Sequence, residues 1–461
     1  MLRLNPRTNL LEQDYYTYEL KDVAQAELFR DIFDYHSVPK IPFNHRRVPM
    51  MTPEELWITD STFRDGQQSL PPFKVDHIVR LYDLMHRLGG PRGLIRQCEF
   101  FLYSDRDKEA VRRCLERGYQ YPEVTGWIRA NPGDFELVRQ MDLRETGILT
   151  SASDYHIFMK LKKTRRQVMD MYLGVVKEAL SYGIRPRCHL EDITRADFYG
   201  FVVPFVQELE KLSEEAGVPI KVRACDTLGY GVPYPGAALP RCVPGIIYGL
   251  MHHAKVPSER IEWHGHNDLH KAFINTTFAW LYGACGANGT LLGIGERTGN
   301  APIEALVLEY MAITGREEGI DTTAITEIGE FMEHEMRIPI PHRYPLAGRD
   351  FNVTSAGVHA DGMLKDEEVY NVFNTTLLLK RPMGVAVTDK TGAAGVLWWV
   401  KTHLDTESKG MPDKKHPGVV QMLAAIQQEY DRGRVSAMSD EELYELAAKH
   451  LPEYPPLERE T

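Results

Sequence analysis

Eight short apolar runs, each followed by a longer stretch of helical and loop character, restrict the fold of this chain more than any other feature. The runs are Trp57–Asp60, Leu94–Glu99, Val124–Arg129, Gly147–Ser151, Arg187–Glu191, Lys221–Cys225, Ile261–His266 and Thr290–Ile294. Separations of about 20 to 40 residues between runs are typical of βα units around a parallel sheet. Because eight such units close a barrel, the sequence predicts a (β/α)8 TIM barrel of the α/β class.

An open, doubly wound sheet is the alternative architecture for the same pattern. It should carry a glycine-rich phosphate turn after its first strand, whereas the first run here is followed by Ser61-Thr62-Phe63-Arg64-Asp65. Acidic and imidazole residues also gather at the C-terminal ends of the runs, which form the active face of a TIM barrel. These residues are Asp60, Glu99, Glu191, Asp226 and His264 to Asp268. Their placement favours the barrel.

The length of 461 residues predicts one large domain and a smaller one. Residues 1–55 are polar and proline-containing, and we interpret them as an N-terminal arm with a candidate helix within 19–35. Residues 56–320 are expected to form the catalytic barrel. Residues 321–461 are expected to form a linker and a mostly helical C-terminal subdomain or lid, with candidate helices at 322–337, 419–432 and 440–450.

Composition excludes several classes of function. A net charge of −11 argues against nucleic acid as a partner. No apolar run reaches the roughly 18 residues that span a bilayer, and residues 1–16 lack the apolar core of a signal peptide. The six cysteines are scattered and form no CxxC pair. The sequence therefore predicts a cytoplasmic protein without a membrane partner.

The segment Trp263-His264-Gly265-His266-Asn267-Asp268 carries the clearest chemical signal. Residues i and i+2 of a strand point to the same face, so His264 and His266 can converge on one divalent metal. Asp65, after the first run, can supply a carboxylate oxygen to the same ion. Two ordinary histidines and a plain Asp65-Gly66 turn are the alternative interpretation.

Two neighbouring segments extend the predicted site. Arg64 can stabilise a negative oxygen that develops on a substrate, and Gln68 can orient the substrate or be a plain loop amide. Gly293-Ile294-Gly295-Glu296-Arg297-Thr298-Gly299-Asn300 is a glycine-rich loop whose backbone can approach a ligand closely. Nitrogen and oxygen ligands without thiolate suit Mn²⁺, Mg²⁺, Zn²⁺ or Co²⁺, and such a site polarises a chelating 2-oxoacid.

Three segments together resemble the signatures of the DRE-TIM metallolyase family, which includes isopropylmalate, homocitrate and citramalate synthases and hydroxymethylglutaryl-CoA lyase. The segments are Asp60 to Gln68, His264 to Asp268 and Gly293 to Asn300. The resemblance covers roughly residues 55–400. It implies a metal-dependent Claisen condensation of acetyl-CoA with a 2-oxoacid, or the reverse cleavage by a lyase.

The resemblance also implies a role for each matching residue. Metal ligands would be Asp65, His264 and His266, with Asn300 close by; Arg64 would stabilise the enolate or alkoxide, and the loop with Gly293, Gly295, Glu296 and Arg297 would bind the cofactor. Substrate would contact Gln68, Glu99, His156, Thr227 and Arg187, which would hold a distal carboxylate. Glu191 would belong to the base network.

Residues Gly357 to Lys365 resemble a subdomain segment of the synthases that the lyases lack. The resemblance implies that His359, with Glu191, takes a proton from acetyl-CoA, and that Tyr370 joins it. In the family this segment reaches a neighbouring barrel, which implies a homodimer. The sequence departs from the isopropylmalate pattern at His270-Lys271 and at Phe100-Phe101.

Two further stretches, Arg96 to Ser104 and Gly231 to Pro240, resemble the family subgroup that contains Re-face-specific citrate synthases. This resemblance implies oxaloacetate as the acceptor and citrate as the product. Because Arg187 would serve 2-oxoglutarate equally well, homocitrate and isopropylmalate synthesis remain open alternatives.

Overall fold

The computed structural model describes residues 2–5, 10–13 and 18–457. The chain forms two compact units that divide between Asp321 and Thr322. The part of the predicted arm before residue 18 lies largely outside the described residues, apart from a two-stranded antiparallel hairpin of Leu2–Asn5 and Leu10–Gln13. Within the described residues, no helix combines the length and the apolar character needed to span a bilayer.

Eight parallel strands close into a barrel in the first unit, which confirms the predicted TIM-barrel fold. In chain order the strands are β1 (Trp57–Asp60), β2 (Ile95–Phe100), β3 (Glu123–Arg129), β4 (Glu145–Ser151), β5 (Arg185–Glu191), β6 (Lys221–Asp226), β7 (Ile261–Gly265) and β8 (Gly286–Gly289). Each strand pairs with its neighbour in sequence, and β8 pairs with both β7 and β1. Closure therefore leaves only β8 between the residues that follow β1 and those that follow β7.

Helices alternate with the strands, as amphipathic segments that cover a parallel sheet must. They are α1 (Val75–Gly89), α2 (Asp105–Leu115), α3 (Phe135–Gln140), α4 (Arg165–Ser181), α5 (Val203–Ala216), α6 (Val243–His252), α7 (Ala272–Leu281) and α8 (Ile303–Thr314). Short π-helical turns follow three strands, at Thr62–Gly66 after β1, Tyr155–Lys160 after β4 and Phe198–Val202 after β5. These turns carry several of the predicted site residues.

The eighth strand was predicted at the wrong place. It spans Gly286–Gly289, whereas the expected run at 290–294 contains a 3₁₀ turn in which Leu292 has a φ of 54°. A side chain on Gly286 would come within 2.9 Å of Glu262 Cγ, and one on Gly289 would collide with Ala301 O. Crowding therefore requires very small residues, whose low strand propensity hides the strand from a search for apolar runs.

The candidate helix at 19–35 is also absent from the described residues. Tertiary partners use the backbone groups that a helix would need: Lys21 N donates to Gly200 O at 2.8 Å, and Glu27 N donates to Asp154 Oδ2 at 2.7 Å. Arg165, fully buried on α4, donates to Lys21 O as well. Contacts with the barrel thus override the local helical propensity of this part of the arm.

The second unit contains the mostly helical region expected for the C-terminus. Its helices are α9 (Ala324–Glu330), α10 (Gly357–Lys365), α11 (Thr375–Leu379), α12 (Gly392–His403), α13 (Pro417–Asp431) and α14 (Asp440–His450). A short parallel pair joins Val353–Thr354 to Gly384–Val385. Trp399, Val419, Met422 and Leu443 are buried together, so α12, α13 and α14 share one apolar core.

Candidate metal centre

Asp65, His264 and His266 form a buried cluster at the C-terminal end of the barrel. His264 lies on β7, His266 follows that strand, and Asp65 lies in the π-helical turn after β1. The two Nε2 atoms are 3.2 Å apart, and they lie 3.6 and 3.5 Å from Asp65 Oδ2. Three ligand atoms within 4.8 Å of one another, all on buried residues, can hold one metal ion.

The electrostatics of the cluster fit a divalent cation. Burial lowers the pKa of His264 to about 3 and also lowers that of His266, so both rings are neutral and keep lone pairs for a metal. Burial opposes ionisation of Asp65, but the charge of Arg64 holds the pKa of this carboxyl below its usual value. Asp65 Oδ2 and Asn300 Oδ1 are buried without hydrogen-bond partners among the described residues. Buried oxygens without partners lower the stability of the fold unless a ligand binds to them.

A hydrogen-bond chain fixes the orientation of His264. Asn288, on β8, donates from Nδ2 to Thr59 O at 3.1 Å, so its Oδ1 must face the other way. That oxygen lies 2.6 Å from His264 Nδ1. Because an amide oxygen only accepts hydrogen bonds, Nδ1 must be the donor. His264 therefore carries its proton on Nδ1 and directs the Nε2 lone pair to the cluster. No sequence pattern pointed to Asn288, because it lies on β8, outside the run that was predicted for this strand.

Arg64 is held beside the cluster by charge. Its Nε donates to Glu99 Oε2 at 2.8 Å, and its Nη1 donates to Asp65 Oδ1 at 3.2 Å. Its Nη2 has no hydrogen-bond partner in residues 18–457. The guanidinium is thus immobilised with one nitrogen still able to donate to a ligand.

A cavity of about 190 Å³ lies against the cluster, and we call it the metal cavity. It brings together nine of the predicted residues: Arg64, Asp65, Gln68, Glu191, Thr227, His264, His266, Glu296 and Arg297. Four residues that sequence analysis did not single out also line it: Trp127, Leu149, His189 and Cys225. All four follow the alternation of a buried strand, which gives no chemical signal in a sequence.

Glu191 and His156 meet at the edge of this cavity. His156 Nδ1 lies 3.0 Å from Glu191 Oε2, and Lys160 Nζ lies 3.2 Å from the same oxygen. Burial raises the pKa of Glu191, but the hydrogen bond from His156 and the charge of Lys160 lower it to about 2. Glu191 is therefore a fixed negative charge at physiological pH.

Loops after β6 and β8 are tied together around Thr227. Thr227 Oγ1 accepts a hydrogen bond from Asp192 N at 2.8 Å, which leaves its own proton free to donate. Arg297 donates to Thr227 O at 2.6 Å and pairs with Asp268 at 2.7 Å. Arg297 thus links the loops after β6, β7 and β8 and also lines the metal cavity.

Glu99 and Arg187 lie outside the lining of the metal cavity, and their predicted contact with the substrate stays a prediction. Both are fully buried within the barrel, where Arg187 Nη2 donates to Glu99 Oε1 at 2.5 Å. Arg187 also donates to Glu145 and Gln97 at 3.1 and 3.0 Å. Opposite charges inside the barrel saturate both groups, which is the reason that neither reaches the cavity.

Gly293 and Gly295 are likewise absent from the lining of the metal cavity. A side chain on Gly295 would collide with Asn300 Oδ1, and one on Gly299 would collide with Gly293 O. Asn300 N donates to Gly293 O at 3.0 Å. In this structure the glycines allow the loop to fold around Asn300, whose amide reaches the metal cluster.

His359 and Tyr370 are brought together in the second unit. Their rings lie 4.1 Å apart at 31°, and His359 Nδ1 lies 3.1 Å from Thr354 Oγ1. Both residues are at least partly exposed, so a ligand or another chain can reach them. Their predicted part in proton transfer stays a prediction.

We expect Asn288→Ala to lower the affinity for Mn²⁺ or Co²⁺ by about 10- to 100-fold, because His264 loses the partner that fixes its tautomer. Isothermal titration of the purified protein measures the change. Asn275→Ala is the matched control, since Asn275 is a buried amide that bonds Gly231 O instead. Equal affinities for Asn288→Ala and the wild type would remove Asn288 from the metal centre.

Comparison with known proteins places this centre in a family. This chain is 54% identical to the citrate (Re)-synthase of Syntrophus aciditrophicus (strain SB), in an alignment that covers 98% of this chain and 72% of the relative. It is 52% identical to the citrate (Re)-synthase of Clostridium kluyveri over 95% of this chain and 97% of the relative. It is 38% identical to the 2-phosphinomethylmalate synthase of Streptomyces hygroscopicus over 93% and 98%.

The profile of the HMGL-like family matches residues 55–332, a range that holds β1 to β8 and every ligand of the metal cluster. With this match, and with relatives that align along most of the chain, the protein belongs to the HMGL-like family.

Proposed function

We propose that this protein condenses acetyl-CoA with oxaloacetate and water to give citrate, CoA and one proton, with a divalent metal at Asp65, His264 and His266. The buried cluster with Arg64 beside it is the observation that carries the proposal. Two relatives that are more than half identical along nearly the whole chain are named citrate (Re)-synthase, which supports this acceptor. Six buried, unpaired cysteines fit the reducing cytoplasm.

Asp65, His264 and His266 would hold the metal, with Asn300 Oδ1 available as a further oxygen. When bound, a divalent ion there acts as a Lewis acid that makes the keto carbon of a chelating 2-oxoacid more electrophilic. Mn²⁺, Mg²⁺, Zn²⁺ and Co²⁺ all suit the donor set.

Arg64 would stabilise the alkoxide that forms when the acetyl-CoA enolate attacks the keto carbon. Its free Nη2 can donate to this oxygen, while Glu99 and Asp65 keep the guanidinium in place. A preorganised donor of this kind stabilises developing charge without reorganising during the reaction. Thr227 can donate its hydroxyl proton to the carboxylate next to the keto group.

Removal of a methyl proton from acetyl-CoA needs a base of suitable pKa. Glu191, with a pKa of about 2, is too weak a base to act alone. We assign the proton acceptor to the imidazole of His359, and Glu191 provides the negative charge that stabilises a protonated imidazole. Tyr370, which packs on His359, would orient the ring.

His189 would select the length of the acceptor. Arg187 Nε donates to His189 Nε2 at 3.3 Å, and His189 lines the metal cavity while Arg187 does not. The imidazole thus stands between the cavity and the guanidinium. Burial lowers the pKa of His189 to about 3, so its ring is neutral. A ring in this place shortens the part of the metal cavity that would hold the distal carboxylate of the 2-oxoacid, which favours oxaloacetate over 2-oxoglutarate.

A homodimer would bring the His359 segment of one chain to the barrel of the other. The segment and the residues that follow it expose large apolar side chains, which is unusual for a surface that faces only water. Val358 of the segment is 75% exposed, and Val372 and Leu377 beyond it are 79% and 69% exposed. A second copy of the chain is the partner that the family resemblance predicts for this surface.

The proposed reaction predicts that oxaloacetate, tested beside 2-oxoglutarate and 2-oxoisovalerate, gives the fastest release of CoA from acetyl-CoA in a thiol assay. Chelation should abolish the release, and added Mn²⁺ or Co²⁺ should restore it. Arg64→Leu should lower kcat by about 100-fold or more, because one preorganised donor is lost. If none of the three acceptors gives release of CoA, the result contradicts the proposal.

For His189→Ala we expect the ratio of kcat/KM for 2-oxoglutarate to kcat/KM for oxaloacetate to rise by about 10-fold or more, since a buried polar contact discriminates strongly. Loss of the ring lengthens the part of the metal cavity that would hold the distal carboxylate of the acceptor. Cys225→Ala, which also trims the cavity wall, is the control and should leave the ratio near that of the wild type. An unchanged ratio in His189→Ala would show that another residue sets acceptor length.

The shared site can be tested by mixing Arg64→Leu with His359→Ala, each of which is expected to have little activity alone. If each site takes His359 from the partner, subunit exchange should restore about a quarter of wild-type activity, because half of the dimers are mixed and have one intact site. Light scattering confirms that exchange starts from dimers. Persistent inactivity after exchange would mean that each chain uses its own His359.

A further inference from the structure

Lys160 is a cation at the edge of the metal cavity to which the proposed reaction assigns no role. It ends the π-helical turn after β4, and its Nζ lies 3.3 and 3.2 Å from the two carboxylate oxygens of Glu191. The same Nζ lies 3.3 Å from His156 Nδ1. Glu191 lines the metal cavity, whereas Lys160 does not and keeps 49% of its side chain exposed. Lys160 therefore contacts the carboxylate from the solvent side.

The two oxygens of Glu191 have different partners. Ser151 Oγ donates to Glu191 Oε2, and His156 Nδ1 lies 3.0 Å from that oxygen. Glu191 Oε1 has Lys160 as its hydrogen-bond partner among the residues that the structure describes. A carboxylate that is bound through both oxygens cannot rotate about its last bond without losing a contact. Lys160 thus completes the set of contacts that fixes the plane of this carboxylate.

Other titratable groups beside Glu191 supply no permanent positive charge. Burial raises the pKa of Tyr172, on α4, to about 12, and it raises the pKa of Cys225, on β6, well above its usual value, so both are neutral at physiological pH. His156 is shared between two carboxylates, since its Nε2 lies 3.7 Å from Asp192 Oδ2 while its Nδ1 faces Glu191. In the part of the chain that the structure describes, the lysine is thus the permanent cation in contact with Glu191.

The charge beside Glu191 matters because an imidazole must be neutral before it can accept a proton. A carboxylate with no cation next to it stabilises the protonated form of an imidazole that approaches it. With Lys160 Nζ 3.2 Å away, the charges of the lysine and the carboxylate nearly cancel, so this stabilisation is weaker. The ion pair therefore favours an approaching imidazole that still has a lone pair for a proton.

We propose that Lys160 is a positioning residue of the condensation: it holds Glu191 and offsets its charge, so that the imidazole of His359 is neutral when acetyl-CoA arrives. The inference rests on the proposed function, which assigns the proton to His359. A proton of the acetyl methyl group then passes to the imidazole, and the electron pair of the C–H bond forms the enolate. Because the Lys160 side chain is half exposed, its Nζ can move into solvent as the imidazolium forms and leave Glu191 to the new cation.

The pH dependence of kcat/KM for acetyl-CoA tests this role in the full-length protein with oxaloacetate and Mn²⁺. We expect Lys160→Met to move the acid limb of the profile upward by about 0.5 to 1 pH unit, because loss of the cation favours both protonated Glu191 and protonated His359. Above that limb the activity should approach the wild-type value, whereas a purely structural defect would lower it equally at every pH. Lys160→Arg keeps the charge and should restore the wild-type profile.

Lys163→Met is the matched control, since it removes an exposed lysine three residues further along the chain, and it should keep the wild-type profile. Both methionine variants should bind Mn²⁺ like the wild type in isothermal titration, because neither lysine lines the metal cavity. If the acid limb of Lys160→Met coincides with that of the wild type, or if its activity falls equally at every pH, the role of Lys160 is overturned and the proposed condensation stands. A wild-type protein that releases no CoA with any acceptor overturns both.

Discussion

The carboxylate of Glu99 is the interaction on which the catalytic end of this barrel depends. It accepts from Arg64 at 2.8 Å, from Arg187 at 2.5 Å and from Arg223 at 3.1 Å, all inside the barrel. Burial raises the pKa of Glu99, but Arg223 and the other cations hold it well below its usual range. Removing one partner would leave an uncompensated buried charge, which costs several kcal/mol. The network therefore fixes Arg64, and through it Asp65, before any ligand arrives.

Barrel closure supplies the other half of the site. Because β8 pairs with both β1 and β7, Asn288 on β8 can reach Thr59 on one side and His264 on the other. One amide thus transmits the position of β1 to the imidazole that would bind the metal. The candidate metal ligands come from different strands, but a continuous set of hydrogen bonds relates them.

The proposed acceptor specificity depends on a residue beside the candidate metal ligands. His189 lines the metal cavity and accepts a hydrogen bond from Arg187 Nε at 3.3 Å, so one residue of β5 would set the length of acceptor that the cavity admits.

Sequence patterns alone predicted the barrel, seven of its eight strands and the cluster of Asp65, His264 and His266, because periodicity and strand phase are local properties that survive in a single chain. Only the tertiary structure located β8, since crowding selects its small residues. It likewise revealed Asn288 and His189, and it placed Glu99 and Arg187 within the barrel rather than in the cavity wall. Burial, charge pairing and hydrogen-bond direction are set by neighbours distant in sequence, and no local pattern records them.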